Sequence, residues 1–199
     1  GYLAGASADG GQTDTDGSTF IGASCGRVLS SGQYNTLVGY GSGWEAATGN
    51  YGLTTGDANT AVGYLTLGGS AAANITGNNN TAIGYKALYD LQGAGASNTA
   101  IGQGALLDLT TGVYNTAIGD RCGHSLTTGG YNVIVGSGTG TTTTDVDQCT
   151  IVGYGACADG SPTTDCGECG DGICDGTNSG SAVNTNSNGN GENIFTCPL

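Results

Sequence analysis

One phrase recurs along this chain at a nearly fixed interval. Asn-Thr-Ala-Ile-Gly stands at Asn80–Gly84, Asn98–Gly102 and Asn115–Gly119, and close variants place the same glycine at Gly22, Gly39, Gly63, Gly136 and Gly153. Successive glycines lie 17, 24, 21, 18, 17, 17 and 17 residues apart. A second phrase, Leu-Thr-Thr-Gly-x-Tyr-Asn with variants, leads into the next copy at Leu29–Asn35, Leu53–Asn59, Leu109–Asn115 and Leu126–Asn132. The base unit is therefore 17 residues, with insertions after the second, third and fourth copies, and it covers Ser18 to Cys157, about 70% of the 199 residues.

A unit this short is not a helical repeat, since two helices and their turns need about 30 residues or more. It is also rich in Gly, Thr, Asn and Val, which are poor helix formers. Asn-Thr-Ala-Ile-Gly alternates instead: Thr81 and Ile83 share one face, Ala82 and Gly84 the other, as in a strand. Thr-Thr-Gly-x-Tyr-Asn is turn chemistry. Each unit reads as two short strands and two turns, stacked on the next with a rise of roughly 4.8 Å. The expected fold is all-β, a parallel β-solenoid of about eight 17-residue coils with a disulfide-rich C-terminal cap.

The stacking predicts columns. Val38, Val62, Ile83, Ile101, Ile118, Val135 and Val152 are expected to form an inward column, with Leu29, Leu53, Leu91, Leu109 and Leu126 as another. Asn35, Asn59, Asn80, Asn98, Asn115 and Asn132 align as a ladder whose amides bond one another and the turn backbone. The Ala and Gly side of each strand is left as a candidate subunit interface.

Charge narrows the function classes. Charged residues are 10% of the chain, yet its net charge is −13, because the only cations are Arg27, Lys86 and Arg121. Nucleic-acid binding needs several cations to neutralise phosphates, so no nucleic-acid partner is expected. Anionic membrane surfaces are disfavoured on the same ground. No apolar run of about 18 residues exists to span a bilayer.

The phrases Asn-Thr-Ala-Ile-Gly, Asn-Thr-Ala-Val-Gly and Asn-Thr-Leu-Val-Gly resemble the repeat of YadA-like head domains in trimeric autotransporter adhesins. They resemble still more closely the arrays of tail-fibre-like proteins. The resemblance covers Ser18–Cys157. It implies a left-handed parallel β-roll, three rolls packed about a threefold axis, and an adhesive or fibre role. This chain departs from the pattern in its longer unit and its cysteines. It shows no coiled-coil stalk, membrane barrel or self-cleaving chaperone module, so any anchor is expected to come from elsewhere.

The expected division is an N-terminal arm at residues 1–17, the β-roll at 18–157, and a Cys-rich cap and tail at 158–199. A chain with Gly1 first and no Met at all suggests a mature secreted protein. Eight cysteines, an even number, suit disulfides in an oxidising compartment: Cys25, Cys122, Cys149, Cys157, Cys166, Cys169, Cys174 and Cys197. Cys149 and Cys157 flank one coil and are a candidate pair. Cys25 and Cys122 sit five coils apart and cannot pair within one straight rod; they would need another chain or the terminal segments. Cys166-x-x-Cys169 has the spacing of zinc or redox motifs but no second metal pair, so structural disulfides are the favoured reading. Asn74 and Asn79 begin glycosylation sequons. Asp14, Asp16 and Gly17 are a fragment of a calcium-loop pattern, the one cofactor signal in the chain. Glu192–Phe195 echoes the repeat and could return as a final strand.

No catalytic, cofactor or metal residues are assigned. His124, beside Ser125, reads as a turn residue rather than part of a triad. The glutamates are Glu45, Glu168 and Glu192, and no carboxylates cluster along the repeat in the sequence. Trp44 and Tyr51 lie in the longest insertion and form a candidate recognition loop; the alternative is that both rings cover the edge of the core. The expected function is a non-enzymatic, extracellular structural or adhesive protein of a fibre or filament, self-associated as a homotrimer. Alternatives are a receptor- or glycan-binding viral or phage fibre, an ice-binding protein and a polysaccharide-cleaving enzyme.

Overall fold

The computed structural model describes residues 4–5, 15–44, 51–69 and 73–157, together with short strands at 173–175, 187–188 and 192–193. Asp14, Glu45, Cys166, Glu168, Cys169 and Cys197 lie outside these residues. The chain is a parallel β-solenoid. Its strands are β1 (Thr19–Ile21), β2 (Thr36–Val38), β3 (Thr60–Val62), β4 (Thr81–Ile83), β5 (Thr99–Ile101), β6 (Thr116–Ile118), β7 (Val133–Val135), β8 (Thr150–Val152) and β9 (Ile173–Asp175). They stack in chain order as one nine-stranded sheet. Pairing is parallel and in register, so Thr81, Ala82 and Ile83 face Thr99, Ala100 and Ile101, and each phrase lies over its copy. The tail forms a separate antiparallel pair, β10 (Ser187–Asn188) with β11 (Glu192–Asn193), rather than another stacked coil.

Only one half of each unit is a regular strand. In place of the second strand expected in each unit, the Leu-Thr-Thr corner forms a hydrogen-bonded column with isolated bridges at Leu53–Ile75 and Ile75–Gly93. Threonines extend this column: Thr110 Oγ1 donates to Thr127 O at 2.9 Å, and Thr127 Oγ1 donates to Thr144 O at 2.9 Å.

The alternation of the strand is as expected, but its phase is reversed. The central residues Leu37, Ala61, Ala82, Ala100, Ala117, Ile134 and Ile151 are all fully buried. Ile83, Ile118 and Val152 of the supposed inward column are instead 38%, 41% and 42% exposed. The reason is volume. The interior is thin and already holds the leucines of the opposite wall, Leu29, Leu53, Leu91, Leu109 and Leu126, all fully buried. A second size rule operates six residues after each strand centre. Where the centre is Ala61, Ala82 or Ala100, that place holds buried Leu67, Leu88 or Leu106. Where the centre is Phe20 or Leu37, it holds Gly26 or Gly43, and a Cβ there would lie 2.7 Å from Phe20 or 2.9 Å from Leu37. Coil six breaks the rule with Ala117 and Gly123; Leu106 and Ile134 of the adjoining coils reach in, to 2.9 Å and 3.0 Å from a Cβ placed at Gly123. The three leucines take φ of 49–51°. That left-handed conformation costs a non-glycine residue roughly 1–2 kcal/mol, which burial of a leucine, worth about 1.5–3 kcal/mol, offsets.

The asparagines form a continuous buried ladder. The Asn98 N–H and Nδ2 donate to Asn80 Oδ1 at 3.0 and 3.1 Å, and Nδ2 also donates to Gly112 O at 2.9 Å. Asn115 repeats the pattern on Asn98 Oδ1, at 3.0 and 3.1 Å. The ladder runs from Asn35, whose N–H meets Ser18 Oγ at 3.0 Å, to Asn132, whose Oδ1 accepts the Cys149 N–H at 2.9 Å.

Two of the disulfide candidates are free thiols. Cys25 and Cys122 are fully buried inside their coils. Each behaves as a small interior donor, the Cys25 thiol to Leu37 O at 3.0 Å and the Cys122 thiol to Ile134 O at 2.9 Å. Ser42 does the same in the second coil, donating to Ala61 O at 3.0 Å. Burial pushes the Cys122 thiol up to about 11 from 9.0. In the unfolded chain the thiol ionises above pH 9.0, while in the fold it stays protonated to about 11. The wild type is therefore expected to lose about 2 kcal/mol relative to Cys122→Ala between these pH values. Alanine occupies the equivalent place in other coils, as at Ala87 and Ala105, so the variant should fold. Denaturant titrations of both proteins at pH 8 and pH 11 check this.

Candidate interaction face

With the strand centres turned inward, the first and third residues of β1 to β8 point out. The first column is Thr19, Thr36, Thr60, Thr81, Thr99, Thr116, Val133 and Thr150; the third is Ile21, Val38, Val62, Ile83, Ile101, Ile118, Val135 and Val152. Neither column contains a charge. Exposure reaches 58% at Ile21. The expected Gly and Ala interface is thereby corrected: the alanines are core, and the open face is the Thr and Ile/Val side. At about 4.8 Å per strand the eight strands make a flat lane roughly 34 Å long.

Tyrosines border the lane on both sides. Beyond the motif glycine stand Tyr40, Tyr64 and Tyr85, exposed and stacked, with ring centroids 5.4 Å apart at each step. On the threonine side stand Tyr34, Tyr114 and Tyr131, and the last two rings stack at 5.0 Å. Sequence reading missed both columns as surfaces, although Gly-Tyr and Tyr-Asn recur at the repeat period.

Trp44 of the candidate recognition loop is buried rather than exposed. Trp44 is 6% exposed, its ring covered by the Arg27 guanidinium at 4.7 Å. It closes the insertion by an antiparallel bridge to Gly52. Among the described residues its buried Nε1 has no acceptor. Tyr51 is only partly exposed. Of the two readings of Trp44, its burial fits the one in which the ring covers the core edge.

One cluster of titratable groups went unseen in the sequence. Asp90 and Asp108 each lie ten residues after a ladder asparagine and therefore stack on successive coils. The Asp90 N–H donates to Leu107 O at 2.9 Å, and the Asp108 N–H to His124 O at 3.0 Å. His124 Nδ1 lies 3.4 Å from Asp108 Oδ2. Burial first, then the neighbouring Asp108 charge, raise the Asp90 carboxyl above its ordinary value, against Lys86 and His124. Among the described residues no group of three or more His, Cys, Asp or Glu is placed to hold a metal ion, and Asp14 of the calcium-loop fragment lies outside them. Nor is any helix of the described residues long and apolar enough to cross a membrane.

The two sequon asparagines, Asn74 and Asn79, are both exposed, and each is followed by a fully buried residue, Ile75 and Asn80. Comparison of the chain with protein-family models, with curated proteins and with solved structures finds no match.

Proposed function

We propose that this protein is a secreted, non-enzymatic structural rod that self-associates, as a homotrimer or filament, within an extracellular fibre or adhesive surface. One observation carries the reading: an uncharged Thr and Ile/Val lane runs the length of the repeat on a chain of net charge −13. Copies with so much like charge repel one another over most of their surface. The lane is where they can approach at no such cost, and association removes its Ile and Val side chains from water. The stacked coils supply stiffness. At the far end β9 extends the sheet, and Cys149 and Cys157 are not free thiols, which supports a covalently tied cap against exposed strand edges.

The solution mass of the wild type and of Ile83→Glu/Ile118→Glu tests this. Both side chains point outward, so the variant is expected to keep its β-structure while the assembly falls apart into monomers. An unchanged assembly, or a wild type that is already monomeric, overturns the reading. A second reading, ice binding, is favoured by one observation: seven threonines stand in register beside an Ile/Val column. A monomeric wild type that shows thermal hysteresis would support it instead.

A further inference from the structure

We propose that the tyrosines on the two rims of the lane are coupled oxidatively between copies of this chain, as dityrosine formed by a haem peroxidase and hydrogen peroxide. The proposal rests on the self-association reading above and adds a covalent step to it. The chain has ten tyrosines. Seven are exposed, from 45% to 85%, and all seven stand on the rims. Tyr40, Tyr64, Tyr85 and Tyr154 each follow a motif glycine. Tyr34, Tyr114 and Tyr131 each precede a ladder asparagine. Tyr51 and Tyr89 are partly buried, and Tyr2 lies outside the described residues.

The rest of the described surface offers a one-electron oxidant little else. The chain has no Met and a single Trp, and Trp44 is buried. The free thiols of Cys25 and Cys122 are fully buried. Amine cross-linking has little purchase either, since Lys86 is the one lysine. Within a column the rings stack with centroids 5.0 or 5.4 Å apart, which covers their faces. What each stacked ring exposes is its edge, with the phenolic oxygen and the carbons ortho to it. Stacked neighbours of one chain do not couple with each other. A bond between ortho carbons sets the two Cβ atoms farther apart than one strand spacing, whereas successive coils hold them at about 4.8 Å. The coupling partner is therefore a ring of another copy. The rims are where two copies joined through the lane meet at the border of the contact, still open to peroxide.

The peroxidase takes one electron and one proton from each of two phenols, leaving two phenoxyl radicals. Those two electrons and two protons reduce one hydrogen peroxide to two waters. The radicals join by a carbon–carbon bond between positions ortho to oxygen. The hydrogen on each joined carbon then moves as a proton to the oxygen of its own ring, which restores both phenols. Two tyrosines and one peroxide thus give one dityrosine and two waters.

The test measures the solution mass of the full chain, then treats it with a haem peroxidase and hydrogen peroxide. Reducing, denaturing electrophoresis, dityrosine fluorescence and peptide mass mapping follow. Covalent oligomers that carry dityrosine fluorescence are expected, with their links at the rim tyrosines. Tyr→Phe at all seven rim positions keeps the rings and removes the phenols; this variant is expected to assemble as before and to give no covalent product. Should seven changes impair folding, the mapped links of the wild type decide. Ile83→Glu/Ile118→Glu leaves the rim tyrosines exposed but separates the copies, and it is expected to lose most of the product at equal protein concentration. That comparison separates coupling within an assembly from coupling by chance collision. A wild type that is monomeric before oxidation overturns the self-association reading, and this proposal with it. An assembled wild type that gives no covalent oligomers overturns the proposal alone. So do links found mainly at Tyr2, Tyr51 or Tyr89, or equal coupling in the dissociated variant.

Discussion

Gly102→Ala is expected to cost more than about 4 kcal/mol, enough to place it among the severe single substitutions. The glycine ends β5 at φ 134°, a conformation that L side chains rarely adopt. The larger difficulty is the neighbouring coil. A Cβ at this position would lie 2.2 Å from Gly119 O and 2.6 Å from Gly119 C, both backbone atoms. A side chain can rotate away from such a clash, but a stacked backbone cannot without opening the ladder. The same holds along the column, where a Cβ at Gly84 would meet Gly102 O at 2.6 Å and one at Gly119 would meet Gly136 O at 2.4 Å. Denaturant unfolding followed by circular dichroism should show a lower midpoint, and limited proteolysis should cut within coils five and six. A variant as stable as the wild type would show that the coils are not held at the spacing described.

Asn98→Ala comes second, at about 3–5 kcal/mol. The substitution removes both Nδ2 donations, to Asn80 Oδ1 and Gly112 O, and the Oδ1 that accepts twice from Asn115. The Asn115 N–H loses its partner in a site with no water access, as does the Gly112 carbonyl on that side. Each orphaned buried group costs roughly 1–3 kcal/mol. Asn98→Asp should be no better, since it removes both donors and introduces a buried charge facing Asn80 Oδ1 and Gly112 O. Hydrogen exchange offers the sharper measurement: the Asn115 amide should lose protection before amides several coils away. Equal exchange across the rod would mean that the ladder does not act locally.

Much of the fold was legible because the repeat is built from residues with few alternative uses. The motif glycine, the asparagine and the Thr-Thr-Gly turn each fit one backbone role, and their common period fixed which copies lie together. What the strand pattern left open was its phase. Alternation states that Thr81 and Ile83 oppose Ala82, but it does not state which side is in. Hydropathy favours isoleucine inside; the space beside Leu88 and Leu91 admits only alanine. Those leucines belong to the opposite wall, at a separation that strand periodicity does not register. The same limit explains Cys25 and Cys122. Their even count suggested pairing, while their place in the column of small interior residues, shared with Ser42, Ala87 and Ala105, makes them buried donors. For Trp44 the sequence left two readings open, because a ring in an insertion is as able to cover a core edge as to meet a ligand. Asp90, Asp108 and His124 were separated in sequence by the very period that stacks them, and only superimposing the coils brings them together.

The size rule inside the coils has a consequence for how freely such a protein could be rebuilt. Coil six, with Ala117 and Gly123, is filled from above and below by Ile134 and Leu106. It is therefore underfilled by its own residues and would be a poor terminus. Although the coils look alike, they are not interchangeable. A rod shortened by removing coil five, or reordered to place coil six at an end, would lose a filling side chain that no residue of coil six can replace. Coil four, with Ala82 and Leu88 matched within it, could be duplicated with far less disturbance. Growth or shrinkage of this chain by whole units is thus constrained by adjacency, and the permitted joints are those where one coil's excess meets its neighbour's deficit.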